Sequence, residues 1–438
     1  MEHVFHRHTL TKYPVAVKGE GPYIIDKQGK KYLNGSSGAA VSCLGHSDQD
    51  VINAIKTQLD KLPFAHTGFF TNEPVEELAD KIIEMAPFGL ERVYFLSGGS
   101  EAIETALKVA RQYFTEIGKN EKHIVIGRLQ SYHGNTLGAL SAGGNLARKE
   151  MFKPILIPTI HHISACYEYR GKQENETSEE YGIRMANELE TKILEFGAEK
   201  VSAFVAETVV GSTLGCVPAT KGYFKRIREI CDKYDVLLIL DEIMCGMGRT
   251  GYMFACEEDG ISPDILTIAK GLGAGYQPIG ATLVSGKIYN AIKTGRGFLQ
   301  HGHTYIGHTT ACASSLVVID KVKSLLPNVN KMGELLKSRL VEEFGDHPNV
   351  GDIRGRGLFL ALELVMDRDT KTTFEPELKI NAKIKAKAME NGLMCYAMGG
   401  TIDGIRGDHI MFCPPFIINE DHIEEIIEKF SKSLNAVL

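Results

Sequence analysis

The sequence predicts an α/β protein: a large domain on a mostly parallel sheet with helices on both faces, plus a smaller α+β domain built from both chain ends. Three observations carry that reading. Through the middle of the chain, short apolar runs alternate with helical patterns, as in strand–helix–strand units. Several of those runs are apolar throughout rather than at every second residue, as expected of strands covered on both faces. The two ends lack that alternation and mix hairpin-like with helical segments.

Taken in order, GPYIIDKQGKKYLN (21–34) reads as a hairpin turning near Lys27–Gly29. ERVYFLSGG (91–99) is a strand entering a glycine turn. SEAIETALKVARQYFTEIG (100–118) then keeps helical spacing until Gly118. Strands follow at HIVIGR (123–128), VSAFVAETVV (201–210), VLLILDE (236–242), DILTIAK (264–270) and ATLVSG (281–286), with a helical KGYFKRIREICDKY (221–234) between. Past residue 330, helices mix with the short strands LFLALELV and HIMFCPP. The predicted division is 1–60 and 330–438 for the two parts of the small domain, and 61–329 for the large one.

Composition sets the bounds. A chain of 438 residues exceeds one small core. Its net charge of −6 and pI near 6.2 offer no basic stripe for nucleic acid. No apolar run approaches the roughly 18 residues that span a bilayer, and MEHVFHRHTLTKYP has no signal-type apolar stretch. Nine cysteines without a C-x-x-C pair fit reduced thiols. A cytoplasmic protein without nucleic-acid or membrane partners is expected.

Three charged residues stand where apolar strands finish: Glu207, Asp241 (followed by Glu242) and Lys270. Open parallel sheets bind ligands at the carboxyl ends of their strands. A desolvated lysine there is a Schiff-base nucleophile, and a carboxylate there needs a cation. Pyridoxal 5'-phosphate meets both demands, since its aldehyde condenses with a lysine and its protonated ring nitrogen pairs with an aspartate. Such a charge-assisted hydrogen bond is worth about 1.5–3 kcal/mol. Gly99 and Ser100 in SGGSEAIE lie at a strand-to-helix turn, where free N–H groups favour a phosphate. Tyr132, in SYHGNTLGA, offers an aromatic plate. HGHTYIGH invites a metal reading, but no carboxylate or cysteine cluster accompanies it, and no metal is expected. KGLGAG lacks the spacing of a dinucleotide fingerprint.

The succession SGGSEA, YHGNT, AFVAETVVG, LILDEIMCGMGRTG, PDILTIAKGLGAGYQPIGA, GHTYIGH and GDHIMFCPP resembles the class III (ω-amino acid) aminotransferases, pyridoxal-phosphate enzymes of fold type I. Its motif style is closest to the ω-amino acid:pyruvate enzymes. Most specific is the DEIMCGMGRTG block with Lys270 placed 29 residues after Asp241. The resemblance implies that Lys270 holds the cofactor covalently and Asp241 pairs with its ring nitrogen. Ile243 and Tyr132 would cover the two ring faces, with His133 in the same cofactor-binding set. Gly99 and Ser100 would bind the phosphate, joined by Thr304 from the neighbouring subunit of a homodimer; a tetramer is left open. Glu207 would lie near the ring hydroxyl, and Arg249 would brace its loop. Arg406, close to the last motif, is the expected contact for a substrate carboxylate. The implied activity is ping-pong transfer of an amino group from an ω-amino acid or amine to a 2-oxo acid, pyruvate or 2-oxoglutarate. A decarboxylating transaminase, racemase or aminomutase on the same fold is the alternative, and a non-catalytic binding protein the second.

Overall fold

A computed structural model describes residues 3–438. The chain opens with an antiparallel three-stranded sheet, β1 (Ala16–Glu20), β2 (Tyr23–Asp26) and β3 (Lys31–Leu33). The hairpin read from the sequence is its β2–β3 part. Asp26 closes that turn by accepting the N–H groups of Gln28 and Lys30 at 2.9 Å.

The central strands are β4 (Leu90–Leu96), β5 (Ile124–Arg128), β6 (Ile160–Ile163) and β7 (Val201–Glu207), a short pair β8 (Val209–Val210) and β9 (Val217–Pro218), then β10 (Leu237–Asp241), β11 (Ile265–Ile268) and β12 (Gly280–Ser285). Seven of them form one sheet in the order β4-β12-β11-β10-β7-β5-β6. Strands β6, β5, β7, β10 and β11 run parallel. β12 enters antiparallel between β11 and β4. β7 and β10 are buried at every position, which explains their unbroken apolar sequence. The helix Gly99–Glu116 covers one face through Ala102, Ala106, Val109, Ala110 and Phe114.

The smaller sheet consists of β13 (Val350–Arg356), β14 (Phe359–Leu364), β15 (Tyr396–Gly399) and β16 (Asp408–Phe412), in the order β13-β14-β16-β15. The N-terminal segment reaches it through the backbone: Leu33 donates to Gly392 and accepts from Met394, both at 2.9 Å, and Cys413 donates to Gly35. Both chain ends therefore build one smaller domain. Residues 329 and 330 sit within a single helix, Thr309–Phe344, that runs from the large sheet's side to the C-terminal helix Glu420–Asn435. Among the described residues, no helix is long and apolar enough to cross a membrane.

Candidate active site

The register of the sheet assembles the site. Asp241 is paired directly with Glu207 on β7 and with Thr267 on β11, so two carboxylates and the run leading into Lys270 finish side by side. One cavity of about 460 Å³ lies beyond those strand ends. Lys270, Asp241, Glu207, Gly99, Ser100, Tyr132, His133 and Ile243 all line it, together with Gly134, Ser212, Cys245 and Gln277.

The two carboxylates are fixed by protein. Asp241, 3% exposed, accepts the Ile243 N–H on one oxygen at 3.0 Å and faces His133 Nδ1 with the other at 2.7 Å. The other ring nitrogen, His133 Nε2, is buried and has no partner. Glu207 accepts the N–H groups of Gly211 at 3.0 Å and Tyr132 at 3.2 Å. Burial raises its carboxyl above the usual range, with His133 opposing and Asp241 reinforcing the shift. Arg128 at the end of β5 holds the Glu207 carbonyl.

Lys270 follows β11 in a left-handed backbone conformation, φ 40°. A residue with a side chain adopts that geometry at a cost of about 1–3 kcal/mol, a strain that collects at functional sites. Desolvation lowers its amine below the ordinary lysine range, while Asp241 and Glu207 pull the other way. A less basic amine has a larger nucleophilic fraction.

The helix Gly99–Glu116 points its N-terminus at the cavity, with Gly98 at the cap supplying no side chain. Gly99 is required by close approach, since a Cβ there would stand 2.8 Å from Ile243 Cγ2. Gly134, at φ 132°, lies against Ser100 in the same way. Asn135 holds the Ser100 hydroxyl through its side chain at 3.0 Å and its N–H at 3.1 Å. This opening, bounded by N–H groups and a hydroxyl, fits a phosphate.

Two predicted residues lie elsewhere. Arg406, expected at a substrate carboxylate, is absent from the cavity wall. Its guanidinium pairs with Asp403 at 2.7 Å across an exposed turn, and its side chain is 61% accessible. Asp403 also accepts the N–H groups of Ile405 and Arg406, so local hydrogen bonds close the turn and keep the arginine outside. Thr304 is exposed and lines no part of this chain's cavity. The metal-like histidine run is held internally: His301 Nε2 contacts Thr105 Oγ1 at 2.8 Å and its ring meets His303 edge-on. No cluster able to hold a metal occurs among the described residues.

Sequence reasoning assigned Glu242 no task. It is fully buried and organises the following loop, accepting Thr208 Oγ1 at 2.9 Å and the N–H groups of Ala255 at 2.6 Å and Cys256 at 2.7 Å. Arg249 completes that loop by donating to the carbonyls of Leu358 and Pro414 and stacking on Phe416. Burial pushes the Glu242 carboxyl up to about 7 from an ordinary 4.5. Between those values the unfolded chain has released a proton that the folded chain keeps. Stability therefore falls as pH rises through this window and levels off above it. Glu242→Gln should remove about 3 kcal/mol of pH-dependent stability change, summed between pH 4.5 and 7. Urea unfolding at several pH values reads it, and an unchanged slope would refute the assignment.

Comparison with known proteins agrees with this geometry. The family description Aminotransferase class-III matches residues 5–434. An uncharacterized aminotransferase of Schizosaccharomyces pombe is 44% identical over 97% of this chain and 93% of its own. A putrescine–pyruvate aminotransferase of Pseudomonas aeruginosa is 36% identical over 96% of this chain and 90% of its own. The ω-transaminase of Pseudomonas jessenii, solved in complex with PMP, superposes with a TM-score of 0.92 at 35% identity, over 99% of this chain and 96% of that one. Strand ends that bring a lysine, an aspartate and a glycine-rich helix start into one cavity are thus set in a chain that belongs to the class III aminotransferases, and it is a transaminase of fold type I.

Proposed function

We propose that this enzyme binds pyridoxal 5'-phosphate in the cavity and moves an amino group from an ω-amino acid or amine to pyruvate or 2-oxoglutarate. The observation that carries the reading is the single cavity shared by Lys270, Asp241 and the start of the helix Gly99–Glu116. The unpartnered, buried His133 Nε2 and the glycine cradle at Gly99 and Gly134 support the fit. When bound, the cofactor supplies an aldehyde for amines and a ring that withdraws electrons from the neighbouring carbon.

The chain's own residues do the rest. Lys270 Nζ would anchor the cofactor and, as a free amine, would accept on Nζ the proton that leaves the donor carbon. Asp241 holds the ring-nitrogen proton, and His133 and the Ile243 N–H fix that carboxylate in place. Ile243 and Tyr132, both in the cavity wall, would hold the ring from its two faces. Gly99 and Ser100 would bind the phosphate, and Glu207 would lie by the ring hydroxyl. Thr304 would reach the phosphate of a second subunit in a homodimer. The exposed side chains of Phe69, Phe70 and Phe88 are apolar surface that a second copy would cover. Nine unpaired thiols support a reducing, cytoplasmic setting.

A panel of amine donors, each offered with pyruvate or 2-oxoglutarate, tests the reading. The cofactor's visible absorbance should fall with donor and return with acceptor. Carbon dioxide release, or isomerisation without any acceptor, would replace it with the rival reactions.

A further inference from the structure

Where the smaller sheet meets the loop between β8 and β9, a buried ion-paired cluster reaches back toward the cavity. Glu363 on β14 is fully buried. It accepts Arg170 Nε at 2.6 Å on one oxygen and Arg354 Nη1 at 2.8 Å on the other. Arg354 on β13 also donates from Nη1 to Asp352 at 2.8 Å, and its Cζ lies 5.0 Å from the centre of the Tyr167 ring. The carboxylates thus hold one edge of the guanidinium, and its other edge faces the loop.

On that edge, Arg354 Nε donates to the Gly215 carbonyl at 2.7 Å and Nη2 donates to the Leu214 carbonyl. The loop closes on itself where the Gly215 N–H donates to the Gly211 carbonyl at 2.8 Å. Position 215 requires glycine: φ is 78°, and a Cβ would stand 2.6 Å from His409 Cδ2 on β16. At the far end of the loop, the Gly211 N–H holds one oxygen of Glu207, and Ser212 forms part of the cavity wall. A planar fork of donors serves a carboxylate and two carbonyls at once, and an ammonium has no such fixed geometry.

We propose that Arg354 is a positioning residue for Glu207, holding loop 211–215 so that the Gly211 N–H meets that carboxylate. The inference rests on the transaminase reading above, in which Glu207 would lie by the ring hydroxyl. A hydrogen bond to a carboxylate favours its charged form. An arginine outside the cavity wall thereby governs the charge that faces the cofactor.

Arg354→Lys tests this, because it keeps a cation beside Glu363 and loses the fork. In the cofactor-free protein, amide hydrogen exchange at Gly211 and Gly215 should be at least about tenfold faster than in wild type, while the helix Glu420–Asn435 exchanges as before. In the loaded enzyme, Arg354→Lys should lower kcat/KM at least about tenfold. In a Glu207→Gln background the same substitution should change it less than about twofold, since the charge through which it acts is gone. Arg354→Gln, read in the same way, replaces the lysine variant if thermal melting shows that one unfolded. Unchanged exchange at Gly211 and Gly215, or an equal loss of kcat/KM in both backgrounds, overturns the assignment. Were the loaded wild type to transfer no amino group, the transaminase reading would fall, while the exchange measurement would still decide whether Arg354 holds the loop.

Discussion

Lys270→Ala should reduce transamination by about 10⁴-fold or more, because in the proposed mechanism one side chain is both the covalent anchor and the proton carrier. The loaded wild type should absorb in the visible through its lysine-bound cofactor, and the variant should lose that band. Folding is expected to survive. Alanine still occupies the left-handed position at φ 40°, and no hydrogen bond network depends on the amine. Melting temperatures of the two proteins should therefore agree within a few degrees. Arginine at the same position keeps a positive charge beside Asp241 and Glu207 but cannot condense with an aldehyde, so Lys270→Arg should be equally inactive. A variant that turned over at the wild-type rate would remove Lys270 from the mechanism.

Asp241→Asn separates charge from shape. The amide keeps one acceptor for the Ile243 N–H but turns a donor toward His133 Nδ1, so the imidazole must shift its proton to Nε2. The negative charge opposite the ring nitrogen is lost. A charge-assisted hydrogen bond of about 1.5–3 kcal/mol corresponds to about 10–100-fold in rate. Turnover should fall by that factor or more, while retained cofactor, measured after gel filtration, falls far less because the substitution leaves the proposed phosphate site at Gly99 and Ser100 unchanged. Equal turnover in wild type and variant would show that Asp241 is not the electron-sink partner. Loss of cofactor in step with activity would make it a binding residue only.

Parts of the fold were legible for local reasons. Strands β7 and β10 are buried on both faces, so their residues are apolar without alternation. The helix Gly99–Glu116 and its glycine start are equally plain. β6 was missed: it is the outer strand of the sheet, and IHHI carries two partly buried histidines, one stacked on Phe196 and one bonded to the Ala142 carbonyl. The direction of β12 was also hidden, since an apolar hexapeptide reads the same whichever way its strand runs. The length of Thr309–Phe344, which crosses the expected boundary at 330, depends on packing against several elements rather than on its own pattern.

By itself the sequence determined which residue types end the strands, and so that Glu207, Asp241 and Lys270 are chemical candidates. Strand periodicity and turn chemistry depend on neighbours along the chain. Only the tertiary structure decided which charges meet. Sheet register set Asp241 beside Glu207, and the returning backbone at Ala255 and Cys256 claimed Glu242. An ion pair with Asp403, three residues earlier, holds Arg406 on an exposed turn outside the cavity wall. The destination of a long charged side chain depends on partners distant in sequence, and the spacing of residues carries no record of them.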